Sequence, residues 1–170
     1  GFEPNANARH LKMQAPSSIA VLVKGSQNML FADILERIQA ILRDYEEDVY
    51  VAYLDEDADE VQYAVQLQRI RRPKGLIFLG GDLEHFRHNF YKITIPCVLL
   101  TNQAADLKFS LLSSFATDDT GACEAVIDFL MEKGHKTIGV VGGNLSAEQI
   151  STLRLNGIKR ALARRGIAFD

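Results

Sequence analysis

Short apolar runs alternate with segments of helical periodicity along most of this chain. Each run is typical of a strand buried on both faces, and the intervening segments carry apolar residues every three or four positions. The predicted strands are Ile19–Val23, Val49–Leu54, Gly75–Leu79, Pro96–Leu100, Leu111–Ala116 and Ile138–Val141. The predicted helices cover residues 31–43, 61–70, 83–91, 119–133 and 147–165. This alternation predicts an α/β fold with a doubly wound parallel sheet, with 111–116 as an edge strand.

The segment 116–143 contains a loop, a helix, a tight turn, a strand and a glycine pair. Asp118 or Asp119 suits the helix N-terminus, where a carboxylate accepts free backbone N–H groups. A general acid/base role for these two residues is the alternative, but neighbouring side chains at a helix start point apart. The apolar face of this helix is predicted to comprise Ala122, Val126, Phe129 and Leu130.

Glycine pairs follow two of the predicted strands, at 80–81 and 142–143. Ligands of open α/β sheets bind at the carboxyl ends of strands, so either pair is a candidate phosphate cradle. Tight turns are the favoured interpretation. The strand 138–141 also needs parallel neighbours, so it either joins the first sheet or founds a second one.

The composition is that of a globular protein, with 47% hydrophobic and 24% charged residues among 170. A net charge of −3 excludes binding of nucleic acid or of an anionic membrane through overall charge, but leaves local basic contacts open. No apolar run is long enough to span a bilayer, so no membrane partner is expected. Cys97 and Cys123 are predicted to be buried free thiols in a reducing compartment, which is consistent with the cytoplasm.

Motifs for catalysis, cofactor binding and metal binding are missing from the sequence. It contains no nucleophile elbow, no H-E-x-x-H, no C-x-x-C and no Walker loop, so no catalytic residue, cofactor or metal site is predicted. His85 and His88 are three positions apart and could share a helix face, but no carboxylate or cysteine is spaced to complete a metal site. Arg154, on the last helix, is either a solvated residue or a bidentate clamp for ligand oxygens.

Residues 1–16 differ from the rest of the chain because they are polar and contain Pro4 and Pro16. Asn5 can cap a short helix that is basic at Arg9 and Lys12, although a helix of this length is marginal in water. Composition alone favours a disordered leader.

Three ordered motifs resemble the LacI/GalR family of bacterial transcription regulators. Residues 4–11, PNANARHL, resemble the family's P-N-x-x-A-R-x-L segment. The first strand followed by Asn28-Met29-Leu30-Phe31-Ala32-Asp33-Ile34 is similar to the family's first strand and helix start. The third motif runs from Asp118 through Gly134-His135-Lys136 and Gly142-Gly143 to Arg154-Leu155-Asn156-Gly157. Together these motifs span nearly the whole chain.

The resemblance implies a domain organisation. Residues 1–16 correspond to a hinge that follows an absent helix-turn-helix headpiece. Residues 17–117 correspond to the N-terminal lobe of a type I periplasmic-binding-protein-like effector domain, and 118–170 to the crossover and the beginning of an incomplete second lobe. The hinge is expected to fold on operator DNA, with Leu11 as a minor-groove wedge and Asn5, Ala8 and Arg9 beside it.

The resemblance also implies a small-molecule effector, a sugar or related metabolite, bound between two lobes. The expected effector-binding residues are Asn28, Leu30, Phe31, Asn102, Asp118 and Arg154. Met29 and Leu30 replace the family's usual proline and aromatic residue, which removes a stacking partner for a sugar ring. The expected function is that of a cytoplasmic, homodimeric repressor. The alternatives are a stand-alone solute-binding protein and an α/β enzyme acting on a sugar phosphate.

Overall fold

The computed structural model describes residues 18–25, 28–143, 145 and 150–169. Five parallel strands form one sheet in the order β2-β1-β3-β4-β5. They are β1 (Ser18–Lys24), β2 (Asp48–Leu54), β3 (Gly75–Leu79), β4 (Cys97–Leu100) and β5 (Leu112–Phe115). The predicted parallel sheet and the edge position of its fifth strand are confirmed. The predicted hinge residues Asn5, Ala8, Arg9 and Leu11 lie outside the described residues.

The helices are α1 (Met29–Asp44), α2 (Glu60–Arg71), α3 (Leu83–Asn89), α4 (Asp119–Glu132) and α5 (Ile150–Arg164). Short 3-10 helices cover Phe90–Lys92 and Ala105–Leu107. The predicted start of the last helix, residues 147–149, lies outside the described part of the chain. None of the described helices is long and apolar enough to cross a bilayer.

Helices cover both faces of the sheet, as the continuous apolar strands predict. In β1, Ala20 and Leu22 belong to the larger core cluster, which α2 and α3 complete. Val21 and Val23 belong to a second cluster, which α1 completes from the opposite face. Because successive side chains of a strand point to opposite faces, one apolar strand supplies both cores.

Short polar side chains begin four of the helices. Asn28, Asp59, Asp82 and Asp118 each accept a backbone N–H from the first turn of α1, α2, α3 and α4, respectively. Each cap satisfies one of the N–H groups that a helix leaves free at its start. Asp118 thus has the capping role that the sequence favours over acid/base chemistry.

The chain divides by compactness into two units, with the boundary between Phe115 and Ala116. The first contains the sheet, and the second contains α4 and α5. In the second unit, Ile127 of α4 packs against Ala161 and Leu162 of α5. The predicted apolar face of α4 is largely exposed, since Val126 and Phe129 are 56% and 57% accessible.

The predicted strand Ile138–Val141 is wrong: the structure has no strand there. A strand requires a hydrogen-bonded neighbour, and the described residues form one sheet that ends at β5. Val141 is fully exposed and only Ile138 packs on the α4–α5 core. An apolar run is therefore insufficient for strand formation without a pairing partner.

Candidate functional site

The site lies at the carboxyl ends of β1 and β3, where the strand order reverses. From β1 the chain proceeds to β2 on one side, whereas β3, β4 and β5 continue on the other. In a doubly wound sheet such a switch point opens the crevice in which ligands bind. Lys24 ends β1 here, and Gly80, Gly81 and Asp82 follow β3.

A buried carboxylate organises this edge of the sheet. Glu60, the first residue of α2, has only 1% of its side chain exposed. Its Oε2 accepts from Lys24 Nζ at 2.7 Å and lies 2.9 Å from His85 Nδ1, while its Oε1 accepts from the Asp82 backbone N–H at 2.6 Å. Three elements that are distant in sequence therefore meet on one side chain.

The surroundings of Glu60 explain how a charge is accommodated in the core. Burying an unpaired carboxylate is costly, so buried charges need a counter-charge and hydrogen bonds. Lys24, 10% exposed in its side chain, supplies the counter-charge, and the N-terminus of α2 adds a favourable dipole. Glu60 ends an acidic run at residues 55–60, and unlike most charged surface residues it is fully buried. The available sequence signal was Lys24, a cation directly after four buried strand residues.

His85 also differs from expectation, because Glu60 supplies the carboxylate that sequence spacing did not reveal. Side-chain atoms of Asp59, Glu60 and His85 that could ligate a metal ion lie within 4.8 Å of one another. This arrangement favours an ion pair over a metal ion, because the Lys24 ammonium already neutralises the shared Glu60 oxygen. His88 does not join the group but lies 3.5 Å from Glu84 on the exposed side of α3.

Phe31 packs directly over the glycine pair that follows β3. A Cβ atom at Gly80 would lie 2.8 Å from the Phe31 ring, and Gly80 has a φ of +80°. A Cβ atom at Gly81 would meet Phe86 at 2.9 Å and Glu60 Oε1 at 3.1 Å. The pair therefore allows side chains to approach the backbone closely, which agrees with the favoured turn interpretation.

The other predicted residues of the first unit occupy the same edge in different ways. The Asn28 side chain caps α1 by accepting from the Leu30 N–H at 3.0 Å. Leu30 is 57% exposed, whereas Asn102, two residues beyond β4, is only 8% exposed. Asn102 Oδ1 accepts from Thr101 Oγ1 at 3.2 Å. An exposed apolar side chain and a buried amide thus follow strands whose carboxyl ends lie at the same edge of the sheet as Glu60.

In the second unit, Asp118 and Asp119 have separate partners. Asp118 caps α4 through the Gly121 N–H at 2.9 Å. Asp119 is buried and accepts from Arg154 Nε at 2.7 Å, which fixes one edge of the guanidinium. A guanidinium has five donors, and this contact uses one of them. Arg154 is therefore a positioned side chain, although 58% of it remains exposed.

The two cysteines are free, as predicted, but only one is fully buried. Burial raises the pKa of the Cys97 thiol to about 12. Cys123 is half-buried on α4, which departs from the expectation of two buried thiols.

Residues 16–170 match the family described as periplasmic binding proteins and sugar-binding domain of the LacI family. The chain belongs to the LacI/GalR family. It is 27% identical over 170 residues to the ribose operon repressor of Haemophilus influenzae, covering 99% of this chain and 50% of that protein. The chain thus spans about half the length of the curated relatives it matches. That relative is named as an operon repressor.

Two solved structures of this family share the fold. The lac repressor dimer bound to operator and an anti-inducer matches with a TM-score of 0.74 and 20% identity, covering 99% of this chain and 58% of that one. A regulator from Enterococcus faecium with bound ribose matches with a TM-score of 0.70 and 23% identity, covering 89% and 54%. The periplasmic-binding-protein-like fold predicted for part of such a domain is therefore confirmed.

Proposed function

We propose that the protein is a transcriptional repressor controlled by a small sugar or related metabolite bound at the switch point of the first unit. The observation that carries this proposal is the convergence of Phe31, Asn102 and the buried Lys24–Glu60–His85 group at the carboxyl edge of the sheet. Apolar surface combined with a few fixed polar groups is the usual composition of a small-molecule site. The Haemophilus influenzae relative is a ribose operon repressor, and the Enterococcus faecium structure holds ribose.

Within this site, Phe31 and Leu30 supply apolar contacts to the effector. Leu30 is exposed and available, and Phe31 is held against Gly80 by close packing. Asn102 supplies an amide whose orientation its neighbour Thr101 restricts. Asn28 contributes by fixing the start of α1, since its side-chain oxygen is used in the cap.

We further propose that Arg154 and Asp118 are effector-binding residues. Arg154 is positioned by Asp119 and keeps donors for hydroxyl oxygens of a ligand. Asp118 precedes α4 and is exposed. Its carboxylate holds the Gly121 N–H, so its contribution includes the geometry of this loop.

The DNA-binding part of the proposal concerns residues 5–12 and a homodimer in the cytoplasm. Asn5, Ala8, Arg9 and Leu11 contact the operator, with Leu11 inserted between base pairs as an apolar wedge. The similarity to a lac repressor dimer bound to operator supports both the partner and the dimer.

The proposal is tested on the intact protein by combining two measurements. A thermal-shift screen of sugars and sugar phosphates identifies a ligand, and an operator mobility-shift assay then measures its effect on DNA binding. The expected result is stabilisation by at least one member of the panel and a change in operator affinity on its addition. A flat response across the panel, with operator binding unaltered by every compound, would contradict the proposal. A Phe31→Ala variant should lose the thermal shift while retaining operator binding.

A further inference from the structure

The hydrogen bond between His85 and Glu60 determines which ring nitrogen of the histidine is available to a ligand. Glu60 is paired with Lys24, so its carboxylate is ionised and acts only as an acceptor. The His85 Nδ1 atom, 2.9 Å from Glu60 Oε2, must therefore carry the hydrogen. In a neutral imidazole the opposite nitrogen, Nε2, is then a hydrogen-bond acceptor.

The charges around His85 are already matched within the protein. On α2, Glu60 is neutralised by Lys24 of β1, and Asp59 accepts from the Gln62 N–H and from Asn89 Nδ2. Among the described residues at the carboxyl ends of β1 and β3, Lys24 is the cation. Its ammonium is bound to Glu60. This edge thus presents no unpaired cation, within the described part of the chain, to attract a phosphate group.

His85 is also partly accessible to solvent. Its side chain is 29% exposed, whereas those of its partners Glu60 and Lys24 are 1% and 10% exposed. The ring therefore links a rigid buried ion pair to the solvent-facing side of the switch point. A polar group held by a buried partner is well suited to discriminate between ligands, because its orientation is fixed before binding.

We propose that His85 is a specificity-determining residue whose Nε2 accepts a hydrogen bond from a hydroxyl group of an uncharged effector. Glu60 is the positioning residue that fixes the tautomer, and Lys24 is its counter-ion. The site then favours neutral, hydroxyl-rich molecules over their phosphate esters. This inference rests on the proposed function, because it names the chemical class of effector for the same site.

The test compares His85→Asn with His88→Asn in the intact protein. An asparagine amide at position 85 reaches Glu60 as Nδ1 does, but has no atom in the place of Nε2. His88, one helical turn further along α3, pairs with Glu84 and is 74% exposed, so its substitution is a matched control. A His85→Gln variant places an amide near the position of Nε2 and serves as a partial rescue.

Isothermal titration calorimetry with ribose, glucose and ribose 5-phosphate gives the expected outcomes. Loss of one neutral hydrogen bond should weaken sugar binding by about tenfold in His85→Asn. His88→Asn should bind as the wild type does, and His85→Gln should recover part of the loss. The inference is overturned if His85→Asn binds the sugar normally, or if wild type prefers the phosphate ester. The latter result would leave the proposed function intact, whereas a wild type that binds neither these three compounds nor any member of the thermal-shift panel would contradict both.

A spectroscopic measurement on the wild type keeps the inference testable if the variants fold poorly. Long-range ¹H–¹⁵N correlation spectra report which nitrogen of each histidine carries the hydrogen. The expected spectrum places a hydrogen of His85 on Nδ1 and none on Nε2. An His85 ring protonated at Nε2 at neutral pH would overturn the inference, because no acceptor would then face the ligand.

Discussion

The Glu60 carboxylate lies 2.7 Å from the Lys24 ammonium, although the two residues are 36 positions apart. This contact connects the start of α2 to the end of β1 across the switch point of the sheet. Glu60→Ala should lower the free energy of unfolding by about 3–5 kcal/mol, because it leaves Lys24 buried without its counter-charge. Urea denaturation followed by circular dichroism measures this loss.

The double variant Lys24→Met/Glu60→Leu provides the control for that prediction. Replacing both partners with apolar side chains of similar volume removes the unpaired charge as well as the ion pair, so most of the stability should return. If the double variant were as unstable as Glu60→Ala, packing at position 60 rather than charge would account for the loss.

Gly80→Ala should disturb the site by displacing Phe31. The added Cβ would lie 2.8 Å from the Phe31 ring, at a position whose φ is +80°. Gly25 is a suitable control, since its φ is +84° but a Cβ there meets nothing within 4 Å. Both alanine variants should lose about 1 kcal/mol from backbone strain, and Gly80→Ala should lose a further 1–3 kcal/mol from overpacking. Equal losses of stability in the two variants would show that the Phe31 ring moves aside without lowering the free energy of unfolding.

The close packing of α4 against α5 should depend on a glycine at position 157, which has no side chain to separate the two helices. A Cβ atom there would overlap the Thr120 carbonyl oxygen and lie 3.1 Å from Cys123 Cβ. Gly157→Ala should therefore destabilise the second unit by about 1–3 kcal/mol despite the better helix propensity of alanine. Hydrogen exchange of α4 and α5 measures the effect, and Gly139→Ala, with open space around its Cβ, should leave exchange unchanged.

The two thiols should react with alkylating reagents at different rates. Burial raises the pKa of Cys97 to about 12, so its reactive thiolate is scarce at pH 8. Cys123 is half-buried and should be alkylated first by iodoacetamide. Peptide mass spectrometry after timed quenching distinguishes the sites. Labelling of Cys97 at the rate of Cys123 in the folded protein would contradict the buried position of β4.

The elements of this fold that the sequence predicts best are those with a local signal. Continuous apolar runs identify the five sheet strands, and short polar residues before helices identify caps such as Asp118. The sixth strand failed because pairing partners are not a local property. Glu60 was missed for the same reason: its burial depends on Lys24 and His85, which only the folded sheet brings together.

The candidate site likewise contains residues that the sequence predicts and contacts that it does not. The family resemblance implies effector-binding roles for Phe31 and Asn102, and both lie at the carboxyl edge of the sheet. The packing of Phe31 on Gly80 and the contact of Arg154 with Asp119 required coordinates, because side-chain pairing across elements leaves no spacing pattern. Taken alone, Arg154 is therefore predicted to be a solvated surface residue rather than a clamp.

Hydrogen–deuterium exchange of the intact protein tests most directly whether the effector binds at the switch point. The measurement compares the free protein with the protein saturated by the sugar that gives the largest thermal shift. Slower exchange is expected at the start of α1, in residues 80–85 and around Asn102, with the exposed end of α1 near Tyr45 unaffected. Protection confined to other parts of the chain, with these segments unchanged at saturation, would contradict it.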